Sequence, residues 1–224
     1  AVIVDRYSAS ASEIFAGAIQ DYSRGIVVGQ QTFGKGTVQS LYHLDRYSRF
    51  QAKKGFGQLT LTIGKFYRVS GQGTQNKGVT PDIKLPSFID KEVVGEDTKM
   101  NTLPWDRIMS LEYDFDLSFH QSIEKLKKNF ADKSKENLPL LFLQEDIDQI
   151  TEQNRQTILS LNYEKRKVKR DQLKKVVQDR RTKRLEELGY SDEDNFGEFA
   201  SKTLLNEVLN TVVDLIESKE IEPG

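Results

Sequence analysis

Cysteine is absent from the 224 residues. Disulfide scaffolds, thiolate zinc sites and cysteine nucleophiles are thereby excluded. Histidine is almost as scarce, with only His43 and His120 present; each reads as an ordinary core or surface histidine, so imidazole-based catalysis has little to draw on. Neither sign of charge dominates: 33 Lys plus Arg stand against 34 Asp plus Glu, a formal net charge of -1. That balance argues against a generally basic nucleic-acid binder. No run approaches the roughly 20 apolar residues of a membrane-spanning helix, and no charged-then-apolar signal segment opens the chain. What is there is 37% hydrophobic residues with 30% charged ones, enough for one real core and a more polar second part.

Residues 1–86 hold the strand patterns, and the composition shifts near Pro86 to Val94 towards charged, helical spacing. The spacing predicts a strand at Ala1 to Val4, a helix from Ala11 to Tyr22 and a strand at Gly25 to Val28, a β-α-β order. Strands follow at Thr37 to Leu44, Gln58 to Val69 and Ile83 to Leu85, with Asp45 to Gly57 as a polar loop. Opening directly on the buried-type run Ala1-Val2-Ile3-Val4, the chain reads as a fragment whose first half is missing. Helical spacing recurs over Leu117 to Phe130, Leu140 to Ile150 and Leu204 to Ile216. The run Glu164 to Glu187 carries 11 Lys or Arg against 5 Asp or Glu. Stacking aromatics are absent from it, so the expectation is a solvated helix with a narrow apolar face of Val168, Leu173, Val176, Val177 and Leu185, rather than a nucleic-acid or membrane surface. Pro223-Gly224 is expected to fray.

Two segments invite a chemical reading. Gly29 to Thr37 nearly matches the phosphate-binding pattern G-x-x-x-x-G-K-[ST], but Gly36 replaces the magnesium-ligating hydroxyl. The following Thr-Val-Gln-Ser-Leu-Tyr-His-Leu alternates like a strand, so the helix N-terminus that would cradle phosphate is not expected. Ser8-Ala9-Ser10-Ala11-Ser12-Glu13 lies between a strand and an amphipathic helix. Ser10 and Glu13 have the spacing of a capping box. A serine at such a turn also presents its hydroxyl beside helix N-terminal amides, where an acyl-transfer nucleophile and part of its oxyanion hole can sit. A lysine replaces histidine as base if desolvation lowers its pKa from about 10.4 by roughly 3 units, about 4 kcal/mol. Lys35, between Phe33-Gly34 and Gly36 with no carboxylate within three residues, suits that enclosure.

Ser-Ala-Ser-Ala-Ser-Glu-Ile-Phe-Ala-Gly-Ala (8–18), Val-Val-Gly (27–29), Thr-Phe-Gly-Lys-Gly-Thr-Val-Gln (32–39) and Lys-Gly-Val-Thr-Pro-Asp-Ile (77–83) together resemble the C-terminal processing peptidases, also called tail-specific proteases. Leu103-Pro104-Trp105-Asp106 and Ser160-Leu161-Asn162-Tyr163 look like the helical C-terminal domain of the long, periplasmic, Prc-like branch. The resemblance implies an α/β (α+β) chain: the second half of a ClpP/crotonase-like protease core over 1–90, then a mostly helical domain over 91–224. It implies a Ser-Lys dyad with Ser10 as nucleophile and Lys35 as general base, 25 residues apart. Ser8 and Ser12 are the alternatives, and the spacing selects Ser10. It further implies that Gln39 helps hold the lysine and that the Ala11 amide donates to the oxyanion. The second oxyanion donor would come from an upstream glycine loop.

No cofactor is implied. The partners implied are protein or peptide substrates with nonpolar C-termini, captured by a PDZ domain outside these residues, and the missing N-terminal half of the same enzyme, with a lipoprotein adaptor as a further candidate. Gln30 and Gln31 depart from the family pattern, which commonly shows a glutamate there. The competing reading is a noncatalytic interaction module with a vestigial dyad, whose helical part binds a lipoprotein or cell-wall partner.

Overall fold

The computed structural model describes residues 1–50, 53–189 and 196–220; the expected fray at Pro223-Gly224 lies outside them. The chain is a mixed α/β structure that divides into two compact units, residues 1–84 with 89–121, and residues 85–88 with 122–224.

In the first unit β1 (Val2–Val4), α1 (Ala11–Asp21) and β2 (Val27–Gly29) form the expected β-α-β order. A short β5 (Ile83–Lys84) completes a parallel sheet in the order β1-β2-β5. Parallel strands need a crossover, and α1 supplies it: Val4, Ala16, Val27 and Val79 form the buried cluster, with Val2 and Ile19 packed on it. A second sheet is the antiparallel pair β3 (Thr37–His43) and β4 (Gln58–Lys65), with an irregularity in register between Val38 and Gln39. The spacing predicts β4 as far as Val69, but the strand stops at Lys65 because its partner begins at Thr37. Beyond it the Phe66 amide turns to the Gly36 carbonyl, and Arg68 to Gln72 close a tight turn. At the start of the expected loop 45–57, whose residues 51 and 52 lie outside the described ones, a 3-10 turn spans Leu44–Tyr47.

Residues 89–108 lie on this unit. Arg6, almost wholly buried, binds them: its guanidinium donates to the Val94 carbonyl at 2.6 Å and to Asp97 Oδ1 at 2.5 Å, while also reaching the Thr32 carbonyl at 2.7 Å. Such a fork of donors satisfies buried carbonyls that a lysine ammonium could not span.

The second unit contains α3 (Leu138–Asn154), α4 (Tyr163–Leu188) and α5 (Phe196–Glu220); α2 (Leu117–Lys133) starts within the first unit and runs into the second. Each helix is longer than its apolar spacing predicts, and for α3 and α4 capping sets where they begin. Asn137 caps α3 by accepting from Leu140 N at 3.1 Å, and Asn162 caps α4 by accepting from Lys165 N at 3.0 Å. Gly189, with φ 68°, ends α4. Phe142, Leu143 and Ile147 of α3 pack with Phe199 and Ala200 of α5 in the core. No residue of α4 is buried: Val168, Val176, Val177 and Leu185 stay exposed. Its Arg180 and Arg184 instead reach Asp146 of α3 at 3.3 and 3.0 Å.

Candidate active site

The turn between β1 and α1 ends at Ser10, which precedes the first residue of the helix. Its backbone stands at φ 57°, ψ -115°, a region that L-residues avoid and that costs of order 1 to 3 kcal/mol. Glycine would be the unstrained choice, so the serine is held there against its preference. Of the expected capping box, the Glu13 carboxylate accepts from the Ser10 amide at 2.8 Å, while the Ser10 hydroxyl makes no cap hydrogen bond and the Glu13 amide donates to the Ser10 carbonyl at 2.9 Å. Ser10 is exposed, and the Ala11 amide beside it makes no hydrogen bond among the described residues. Ser8 is differently engaged: its hydroxyl donates to Asp5 Oδ1 at 3.0 Å and accepts from the Asp5 amide at 3.1 Å. Ser12 occupies the exposed first turn of α1.

Glu13 is fully buried and does much more than cap a helix. Its Oε2 accepts from the Ser10 amide at 2.8 Å and from the Lys35 amide at 2.8 Å. Its Oε1 accepts from the Thr32 hydroxyl at 2.6 Å and the Gly34 amide at 2.6 Å. One oxygen therefore holds the backbones of Ser10 and Lys35 together, and the two amide nitrogens cannot lie further apart than twice that bond length. Four donors converge on the carboxylate, two on each oxygen, so both buried oxygens are fully hydrogen-bonded. Thr32 completes the shell by accepting from the Val79 amide at 2.7 Å.

The Lys35 turn is tight for a steric reason. Gly34 has φ 92°, and a Cβ there would meet the Asn76 backbone at 2.9 Å; one on Gly36 would meet the Gln75 amide at 2.5 Å. Lys35 is half-buried, and no carboxylate forms an ion pair with its ammonium among the described residues. The sequence neighbourhood is free of carboxylates as expected, yet Glu13 reaches the Lys35 backbone from 22 residues upstream.

Gln39 is exposed on β3, beside the irregularity in the ladder, and its side chain makes no hydrogen bond among the described residues. The structure thus brings Ser10, Ala11 and Lys35 to one place and leaves Gln39 on the neighbouring strand. His43 pairs with Gln58 at 3.1 Å, and His120 packs edge-on against Phe115; neither touches this turn. The phosphate-loop pattern runs into β3, so the helix that it needs is missing. Gln30 and Gln31, the departures from the family pattern, are hydrogen-bonded to backbone. Gln30 accepts from the Arg6 amide at 3.2 Å and donates to the Ile89 carbonyl at 2.9 Å, and Gln31 donates to the Lys77 carbonyl at 2.5 Å.

Sequence reasoning missed the hub role of Glu13 and the parts of Thr32, Gln75 and Asn76. A buried Glu three residues after a turn serine was visible as a cap, but the donors from residues 32 to 35 arrive only through the fold.

A family model described as peptidase family S41 matches residues 1–85, and one described as the C-terminal domain of tail specific protease matches 89–220. The chain is 41% identical over 180 residues to a tail-specific protease of Haemophilus influenzae, covering 76% of this chain and 25% of that protein. It is 38% identical over 99 residues to a carboxy-terminal-processing protease of Bartonella bacilliformis, covering 44% and 21%. The chain thus spans a quarter or less of the length of these relatives. Among solved structures, it is similar to a photosystem II D1 C-terminal processing protease at 36% identity and a TM-score of 0.32, over 38% of this chain and 19% of that one. With one match ending at residue 85 and the next beginning at 89, the chain belongs to the tail-specific, or C-terminal processing, proteases of peptidase family S41.

Proposed function

We propose that this chain carries the nucleophile and base of a serine endopeptidase, with Ser10 attacking and Lys35 as general base. The observation that carries the reading is the Glu13 carboxylate, which draws the Ser10 and Lys35 amides onto one oxygen next to a serine in a strained backbone conformation. Strain that persists at an exposed hydroxyl is a mark of function. The Asp5 bonds of Ser8 speak against that alternative.

In the reaction, the Lys35 amine takes the Ser10 hydroxyl proton as Oγ bonds to the scissile carbonyl carbon. The Ala11 amide donates to the oxyanion. Lys35 then returns the proton to the leaving amine nitrogen as the C–N bond breaks; next it takes a proton from a water whose oxygen bonds to the acyl carbon, and gives that proton to Ser10 Oγ as the ester bond breaks. Gln39, on β3 four residues beyond Lys35, takes the part of steadying the lysine. Residues 1–90 are the protease-core portion and 91–224 the helical domain. A PDZ domain, a second oxyanion donor and the first half of the core are supplied by upstream sequence. Substrates are proteins with nonpolar C-termini, met in the periplasm, with or without a lipoprotein adaptor.

The test is cleavage of an unstructured protein ending in small nonpolar residues by the full-length protein that contains this chain. Ser10→Ala and Lys35→Ala should each remove cleavage with folding intact, while Ser8→Ala keeps most of it. Substantial turnover by Lys35→Ala would sink the dyad.

A further inference from the structure

The Lys35 turn is gripped on both flanks by one short segment. The Gly34 carbonyl accepts from the Asn76 amide at 2.8 Å, and the Gly36 amide donates to the buried Gln75 side-chain oxygen at 2.9 Å. Asn76 sits at φ 62°, a left-handed conformation that asparagine tolerates better than most residues. This segment is in turn bound by residues Leu103 to Asp106. The Asn76 side-chain amide donates to the Leu103 carbonyl at 3.1 Å, the Trp105 indole donates to the Gly73 carbonyl at 2.8 Å, and the Gly73 amide donates to the Asp106 carbonyl at 3.1 Å. Lys77 stacks its ammonium over the Trp105 ring at 3.3 Å from the centroid.

The strap is pinned at its far side as well. Lys65 donates to the Pro104 carbonyl at 2.7 Å and pairs with Asp106 at 2.9 Å, and the Tyr67 hydroxyl donates to Asp106 at 3.1 Å. The Lys65 hydrogen bond first, and that of Tyr67 after it, hold the Asp106 carboxyl below its usual range. Leu103 to Asp106 lie in the part of the chain matched by the helical-domain family model, yet every contact above is made to the protease-core portion.

We infer that Leu103 to Asp106 form a positioning strap for Lys35, acting through Asn76 and Gln75 on the two glycines that flank it. The inference rests on the reading of Lys35 as the base. It makes the start of the second family segment part of the machinery that presents the amine, with Trp105 and Asn76 as positioning residues that touch no substrate.

The chain itself can be tested without any peptidase activity. Competitive acylation of its lysines with a limiting anhydride, read by mass spectrometry from neutral to alkaline pH, gives the titration and reactivity of the Lys35 amine against Lys202, near the start of α5. Two variants break the strap differently. Trp105→Ala removes the indole donor and the cation-π partner; Asn76→Asp keeps a residue tolerant of the left-handed backbone but replaces the donor to Leu103 with an acceptor.

Expected is a threefold or larger change in the Lys35 reactivity profile in at least one variant, with Lys202 unchanged and the thermal transition retained. Changes below threefold in both would overturn the strap. Because labelling is read apart from cleavage, a failure of the dyad itself would show only in the peptidase assay.

Discussion

Replacing Glu13 by glutamine changes one atom of a side chain that is completely buried, and the consequence follows from donor counting. The carboxylate accepts four hydrogen bonds, two on each oxygen. Glutamine keeps one accepting oxygen and turns the other into an amide nitrogen that has only hydrogens to offer. Whichever way the amide is oriented, two donors lose their acceptor. If the nitrogen takes the place of Oε2, the stranded donors are the amides of Ser10 and Lys35. If it takes the place of Oε1, they are the Gly34 amide and the Thr32 hydroxyl, and only the latter can rotate away.

Hydrogen bonds to a charged group contribute about 1.5 to 3 kcal/mol each. Losing two gives a destabilisation of about 3 to 6 kcal/mol, a large share of the roughly 5 to 15 kcal/mol that a domain has in total. Urea unfolding of wild type and Glu13→Gln measures this as a fall in midpoint at unchanged slope. A loss under about 1 kcal/mol would refute the reasoning, because it would mean that the four donors do not depend on a carboxylate.

Ser10→Gly should stabilise the chain by about 1 kcal/mol, the relief of backbone strain exceeding the added chain entropy, while abolishing cleavage by the full-length protein. A destabilised glycine variant would mean that the turn is not strained. Arg6→Lys cannot span Val94, Thr32 and Asp97 at once and should lower unfolding free energy by about 2 kcal/mol, an effect that denaturant titration would miss only if the fork were dispensable. Burial first, against the opposing Arg184 and Arg180, raises the pKa of Asp146, so the folded chain binds its proton more readily than the unfolded one. Its contribution to stability is present below the unfolded value of about 3.9 and is lost as pH rises through the folded value. Stability of wild type relative to Asp146→Asn should therefore improve as pH falls through that window, and a trend of opposite sign in parallel unfolding titrations would contradict the cause assigned.

Local chemistry made much of this protein legible along the chain. The alternation in residues 1–86, the helix after Ser10 and the four helical stretches depend on side-chain periodicity and caps, which are properties of neighbours in sequence. So does the failure of the phosphate-loop pattern, since the residues after Gly36 alternate as a strand must. The pairing of Ser10 with Lys35 was suggested by a resemblance in motif and spacing, but no local rule could supply what joins them. Glu13 looked like half of a capping box, and only the packing of α1 against β2 brings the amides of Gly34 and Lys35 to the same carboxylate as Ser10. The buried fork of Arg6 and the strap at Leu103 to Asp106 likewise depend on contacts across 26 to 91 residues of sequence. A buried charge needs several donors at once, and residues far apart in sequence become donors to one atom only when the chain closes around it.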